Sequence, residues 1–109
     1  GNFVKPEDDT FKAAAAGADW SKSFYQILTN QPGKDAWPIS GATFILMHIK
    51  QDKPVNATEV LKFFSWAYKN GDKTAADLDY VPMPKPVIAA IEKAWGEIKD
   101  TAGKPVAFK

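Results

Sequence analysis

Between a turn-rich stretch and a long helical pattern lies the run Thr43-Phe44-Ile45-Leu46-Met47-His48-Ile49, in which large apolar residues follow one another almost without interruption. A half-wet strand would alternate polar and apolar residues, and a helix would need a longer stripe. A short continuous apolar run instead reads as a strand buried on both faces, as in a parallel or mixed sheet covered by helices. Every other periodic segment of the chain is helical. The expected fold class is therefore α/β, with one main core strand and covering helices.

The rest of the chain supplies those helices. Pro6 followed by Glu7, Asp8 and Asp9 opens one, because proline's fixed φ suits a first turn and carboxylates complement the positive end of the helix dipole. Phe11 and Ala13 to Ala16 continue it, and Gly17 is expected to stop it in a left-handed conformation. Trp20, Phe24, Ile27 and Leu28 have helical spacing, but the intervening serines make that segment weak. Asn30 to Asp35, with Pro32-Gly33 inside it, is a turn cluster separating two parts of the chain. After the apolar run, Asn56 with Glu59 has capping-box spacing, and residues 60, 63, 64 and 67 form an apolar stripe with 61 and 68 beside it. Gly71 ends that helix, and Asp72 caps a short one over 73–79. Val81-Pro82-Met83-Pro84 is extended or turned. Ile88, Ile91, Trp95 and Ile98 mark a last helix, and Gly103-Lys104-Pro105 leads into a tail, Val106-Ala107-Phe108, fit for a short edge strand.

Composition narrows the chemistry. The 14 basic residues are balanced by 13 acidic ones, so no electrostatic footprint for nucleic acid or an anionic membrane stands out. All the basic residues are lysine. Without arginine, the chain lacks the rigid fork that clamps phosphate or carboxylate bidentately. There is no cysteine, which excludes disulfides, thiolate metal sites and cysteine nucleophiles. The apolar runs fall far short of the roughly 20 residues of a membrane-spanning helix. Gly1-Asn2-Phe3-Val4-Lys5 has no secretory-leader pattern.

Few residues offer a reactive site. Ser40-Gly41-Ala42-Thr43 places small and hydroxyl residues at a turn, where backbone N–H and O–H groups can meet an anion. It leads into a strand rather than a helix, however, so no helix dipole backs it, and a turn or hinge is the better reading. His48 is the only histidine, and neither a metal set nor a triad has partners near it in sequence. Asp8 with Asp9 and Asp77 with Asp79 fit solvated helix ends. Trp20, Trp66 and Trp95 read as core. Trp37, next to Pro38, stands at the junction of the two parts, where a large ring can wedge a hinge or line a cleft. Phe63-Phe64 with Trp66 and Tyr68 lacks the basic partner of a base-stacking platform. Neither an enzyme nor a cofactor-binding protein is indicated.

One order of features is distinctive. Gly17-Ala18-Asp19-Trp20-Ser21, Asp35-Ala36-Trp37-Pro38-Ile39, Thr43-Phe44-Ile45-Leu46-Met47-His48, the helix Glu59 to Lys69, Asp77-Leu78-Asp79-Tyr80 and Gly103-Lys104-Pro105 follow one another across essentially the whole chain. In this the sequence resembles the C-terminal third of the periplasmic phosphate-binding proteins of the bacterial phosphate ABC transporter. The resemblance implies an incomplete two-lobed periplasmic-binding-protein fold of type II. Residues 1–36 are then the end of the second lobe, 37–41 the hinge crossing, with Trp37, Pro38 and Gly41 as hinge candidates, and 42–109 the C-terminal part of the first lobe. It also implies a periplasmic location, inorganic phosphate as ligand of the full-length parent and an inner-membrane ABC permease as its partner.

In that family the phosphate ligands, an arginine with a Ser-Gly-Thr triplet among them, come from earlier parts of the chain, so no phosphate-binding residue is expected here. Ser40-Gly41-Ala42-Thr43 is not that triplet. The alternative function is a self-associating interaction module without a ligand. A strand apolar on both faces with too few strands to flank it favours a homodimer.

Overall fold

The computed structural model describes residues 1–108. Its elements in chain order are α1 (Asp8–Ala16), β1 (Lys50–Gln51), α2 (Pro54–Asn70), α3 (Asp72–Asp77), α4 (Lys85–Trp95) and β2 (Lys99–Asp100). Helix dominates, and β1 and β2 form a parallel pair in the register Lys50 to Lys99 and Gln51 to Asp100. An isolated antiparallel bridge from Lys99 to Pro105 returns the tail alongside β2, but Val106 to Phe108 do not form the expected edge strand. The result is a small, helix-rich α/β assembly.

Local chemistry explains most helix boundaries. At α1, Glu7 is the N-cap and its backbone N–H donates to Thr10 Oγ1 at 3.1 Å, while Asp8 and Asp9 occupy the first turn. At α2, Pro54 takes the first helical position, so the start lies ahead of Asn56 and Glu59. Those two residues therefore do not cap; Glu59 instead pairs with Lys62 at 3.1 Å. Proline wins because its missing N–H costs nothing where the helix leaves donors unpaired anyway. The weak 20–28 segment forms no helix.

Neither Gly17 nor Gly71 is left-handed: their φ values are −75° and −90°. The need for glycine there is spatial. A Cβ on Gly17 would lie 3.1 Å from the Pro32 carbonyl oxygen, and one on Gly71 would lie 2.5 Å from that of Ala67. Gly33, by contrast, has φ of 131°, in keeping with the Pro-Gly turn.

The main core gathers on α2. Ala57 and Leu61 of that helix meet Ile98 and Val106, with Met47, Trp95 and Phe108 packed against them. The backbone N–H of Lys99 donates to Ile49 at 2.8 Å, and that of Val106 donates to Ile98 at 3.0 Å, which fixes the tail over the core. Ser65 and Glu92 meet at 3.4 Å between α2 and α4. In the N-terminal part, Ala14, Ala15, Leu28 and Ala36 are buried apart from that cluster.

Two expectations require correction. The run Thr43–Ile49 is not a buried core strand: only Lys50 and Gln51 pair, and Leu46 is 93% exposed. A strand of this composition needs neighbours on both edges and cover on both faces, and the two-residue β2 supplies one short edge. The α2 stripe is also rotated. Ala57, Leu61 and Ser65 are its buried residues, whereas Val60 and Phe63 face water.

The molecule is open for its size. Its Cα radius of gyration is 15.8 Å and its extents are 54 × 30 × 17 Å, where a compact domain of this length has a radius of about 13 Å. Its accessible surface is 8067 Å², against about 6,000 Å² for a self-contained monomer of this mass.

Candidate functional site

The crossing between the two parts is built from short polar contacts. The Trp37 backbone N–H donates to the Thr10 carbonyl at 3.0 Å, and the Pro38 carbonyl accepts from the Asn30 N–H at 2.9 Å. The Trp37 and Phe11 ring centroids are 6.5 Å apart. Trp37 and Pro38 are thus tied to α1 and to the turn that precedes them. Ser40 is buried and donates from Oγ to the Trp37 carbonyl at 2.8 Å, closing a small turn. At Gly41 those contacts end: no atom lies within 4 Å of where a Cβ would stand, and φ is not positive. Trp37, Pro38 and Gly41 therefore stand side by side, two anchored and one free.

A cleft of about 590 Å³ opens beside this crossing. Phe11, Lys12 and Leu28 line it from the N-terminal part, Tyr68, Asp72 and Tyr80 from the helical part, and Ser40 to Thr43 between them. Lys12 was not apparent from the sequence as a cleft residue, since nothing in its spacing places α1 opposite α3. Its ammonium pairs with Asp8 at 2.6 Å. That hydrogen bond, together with the charges of Asp8, Asp9 and Asp72, holds its pKa above the ordinary lysine value despite partial desolvation. A cation so engaged and the Ser40 hydroxyl already committed to Trp37 leave little to grip a free anion. The arrangement is that of a turn at a crevice.

A second groove of about 510 Å³ runs between Trp20 to Phe24, the segment Ala42 to Ile49, and the facing surfaces of α2 and α4. Tyr68 lies on both grooves. Burial raises its phenol pKa above the ordinary value, with the Glu92 carboxylate adding to the shift.

The remaining candidates are dispersed. His48 is exposed, and its carbonyl accepts from the Gln51 side chain. Asp8 and Asp77 pair with Lys12 and Lys73 on their own helices, as solvated helix ends do. Among the described residues no cluster of acids and histidine has the geometry of a metal site. Trp20 and Trp95 are partly buried, whereas Trp66 is 59% exposed and stacks at 6.3 Å on Phe63. Its assignment to the core is thus corrected: it belongs to an outward aromatic ridge on α2.

Comparison with known proteins identifies the chain. No family model matches it. Phosphate-binding protein PstS of Pasteurella multocida is 44% identical over 107 residues, which are 95% of this chain and 31% of that protein. The protein of the same name from Haemophilus influenzae is 42% identical over 97 residues, 87% of this chain and 29% of the relative. That from Methanocaldococcus jannaschii is 29% identical over 113 residues, 92% of this chain and 29% of the relative. The chain belongs to the PstS family, and it spans about three-tenths of the length of the curated relatives it matches.

Proposed function

We propose that the chain is the C-terminal stretch of the phosphate-binding component of a phosphate ABC transporter, a periplasmic protein that captures inorganic phosphate for an inner-membrane permease. It is a binding protein rather than an enzyme. In this reading residues 1–36 end the second lobe of a two-lobed fold, Trp37 to Gly41 cross between lobes, and residues 42–109 complete the first. The observation that carries the reading is the 44% identity to a PstS protein across 95% of the chain.

The phosphate ligands then belong to the rest of the parent, in keeping with the absence of arginine and with the engaged Lys12 and Ser40. Calorimetry of the 109-residue chain with phosphate is expected to show no complex in the micromolar range. A chimera joining it to the remaining portion of the Pasteurella multocida relative is expected to bind one phosphate. Micromolar, one-to-one binding by the chain alone would overturn the assignment of ligands, and a folded chimera that ignores phosphate would overturn the transport reading.

A second reading is favoured by the surface of the isolated chain. An accessible area some 2,000 Å² above that of a typical monomer, with Phe44, Ile45, Leu46 and Ile49 in water, is the condition under which a chain associates with a copy of itself. Sedimentation across a concentration series is expected to show a homodimer, and a monomer throughout would dismiss it.

A further inference from the structure

Asparagine occurs at Asn2, Asn30, Asn56 and Asn70, and only Asn70 is followed by glycine. An asparagine side chain is labile toward the backbone nitrogen of the next residue, and glycine, with no Cβ, leaves that nitrogen open to approach. Packing imposes the pairing here. Gly71 joins α2 directly to α3, and a Cβ on it would lie 2.5 Å from the Ala67 carbonyl oxygen, so a larger residue is disfavoured.

The folded junction holds both reacting groups apart. The Gly71 N–H donates to the Ala67 carbonyl at 2.7 Å, and Asn70 Nδ2 donates to the Trp66 carbonyl at 2.9 Å. A helical ψ of about −42° aims the following N–H along the helix axis, away from the side chain beside it. Asn70 is nevertheless exposed and ends its helix, where opening costs least.

We propose that Asn70-Gly71 is a deamidation site, closed by the last turn of α2 and opened when that turn frays. Once it frays, the Gly71 nitrogen attacks Asn70 Cγ. The N–Cγ bond forms and the Cγ–Nδ2 bond breaks, and Nδ2 leaves as ammonia with the proton that the Gly71 nitrogen gives up. Water then adds to either carbonyl of the succinimide and opens it to aspartate or isoaspartate.

The product does not fit the closed junction. A carboxylate has no proton to donate to the Trp66 carbonyl, and it stands at the negative end of α2 beside Asp72. Isoaspartate also lengthens the main chain, which displaces Gly71 from Ala67 and disturbs the 2.8 Å bond from the Ala75 N–H to the Gly71 carbonyl that starts α3. Asp72 and Ala75 line the cleft beside the crossing, so the modification loosens one wall of it.

Peptide mapping by mass spectrometry during incubation of the chain, in buffer and in urea above its unfolding midpoint, tests the site. Asn70 is expected to convert ahead of Asn2, Asn30 and Asn56 in urea, and about tenfold or more slowly in buffer. Lys69→Gly removes a good helix former and a cation from the last turn, away from the core. It should speed conversion about fivefold in buffer while leaving the rate in urea unchanged. Asn70→Asp is expected to hasten amide exchange at Ala75. Conversion as fast in buffer as in urea, or no conversion at Asn70 in urea, overturns the proposal without need of a variant. A Lys69→Gly chain with native circular dichroism and an unchanged rate in buffer overturns the last turn as the gate, and unaltered exchange at Ala75 in Asn70→Asp overturns its effect on α3.

Discussion

Gly71 and Gly41 show how differently two glycines can constrain one chain. At Gly71 the backbone N–H reaches the Ala67 carbonyl at 2.7 Å, and a Cβ would lie 2.5 Å from that same oxygen. Gly71→Ala is therefore expected to cost about 1–3 kcal/mol, the usual range for overpacking, read as a lower urea midpoint with an unchanged slope. At Gly41 there is open space and no positive φ. Gly41→Ala should leave stability unchanged or raise it by about 0.4–1 kcal/mol by restricting the unfolded chain. A large loss would show instead that the crossing visits conformations closed to alanine. Asp19 illustrates a third residue-scale effect. Its carboxylate accepts from the hydroxyl and the backbone N–H of Ser21, and these bonds hold its pKa below the usual aspartate value. A depressed carboxyl pKa contributes stability above the unfolded-state pKa and loses it as pH falls through the folded-state value. Carboxyl-detected NMR titration is expected to place Asp19 below its peptide value, and Ser21→Ala to move it back upward.

At the scale of the element, α2 carries two apolar faces. Ala57, Leu61, Phe64 and Tyr68 point toward the body of the molecule, while Val60, Phe63 and Trp66 form a ridge in water. Leu61 is fully buried, so Leu61→Ala is expected to cost about 2–5 kcal/mol. Phe63→Ala and Trp66→Ala, each about 60% exposed, should stay within about 0.5 kcal/mol of the parent. Parallel denaturant melts make the comparison, and equal losses at Leu61 and Trp66 would mean that the ridge is covered in solution. The helix also explains why periodicity misplaced the buried stripe. When both faces are apolar, a period of 3.6 identifies a helix without choosing a side; only the docking of Ile98 and Val106 makes that choice.

For the whole molecule, the separation of two packing centres governs the expected dynamics. The N-terminal part buries chiefly small side chains, Ala14, Ala15 and Ala36 with Leu28, whereas the helical part buries Leu61, Val87, Ile98 and Val106. Less apolar area is removed from water in the first, so its opening free energy is lower. Amide exchange is expected to be faster in residues 8–36 than in α2 and α4, with the break near the crossing at Trp37 to Gly41. Uniform protection across both parts would remove the case for a hinge there. High pH acts on the junction as well. Burial raises the Tyr68 pKa, so its contribution is intact below the ordinary tyrosine value and is lost as pH rises through the folded-state value.

Local chemistry in the sequence was enough to determine α1, α2 and α4, the turn at Pro32-Gly33 and, through the ordered motifs from Gly17 to Pro105, the family. Those features depend on neighbours a few residues apart: a proline at a first turn, acids at a helix start, apolar residues at helical spacing. The tertiary structure alone decided that α2 turns Leu61 inward and Trp66 outward, that Lys12 and Tyr68 line one cleft, and that most of Thr43–Ile49 is exposed while Met47 packs on the core. An apolar run specifies that it should be buried, but burial requires partners contributed by other strands and helices. In this chain α2, α4 and the tail cover Met47 and leave Leu46 bare, an outcome set by which surfaces are present to pack and not by the residues of the run.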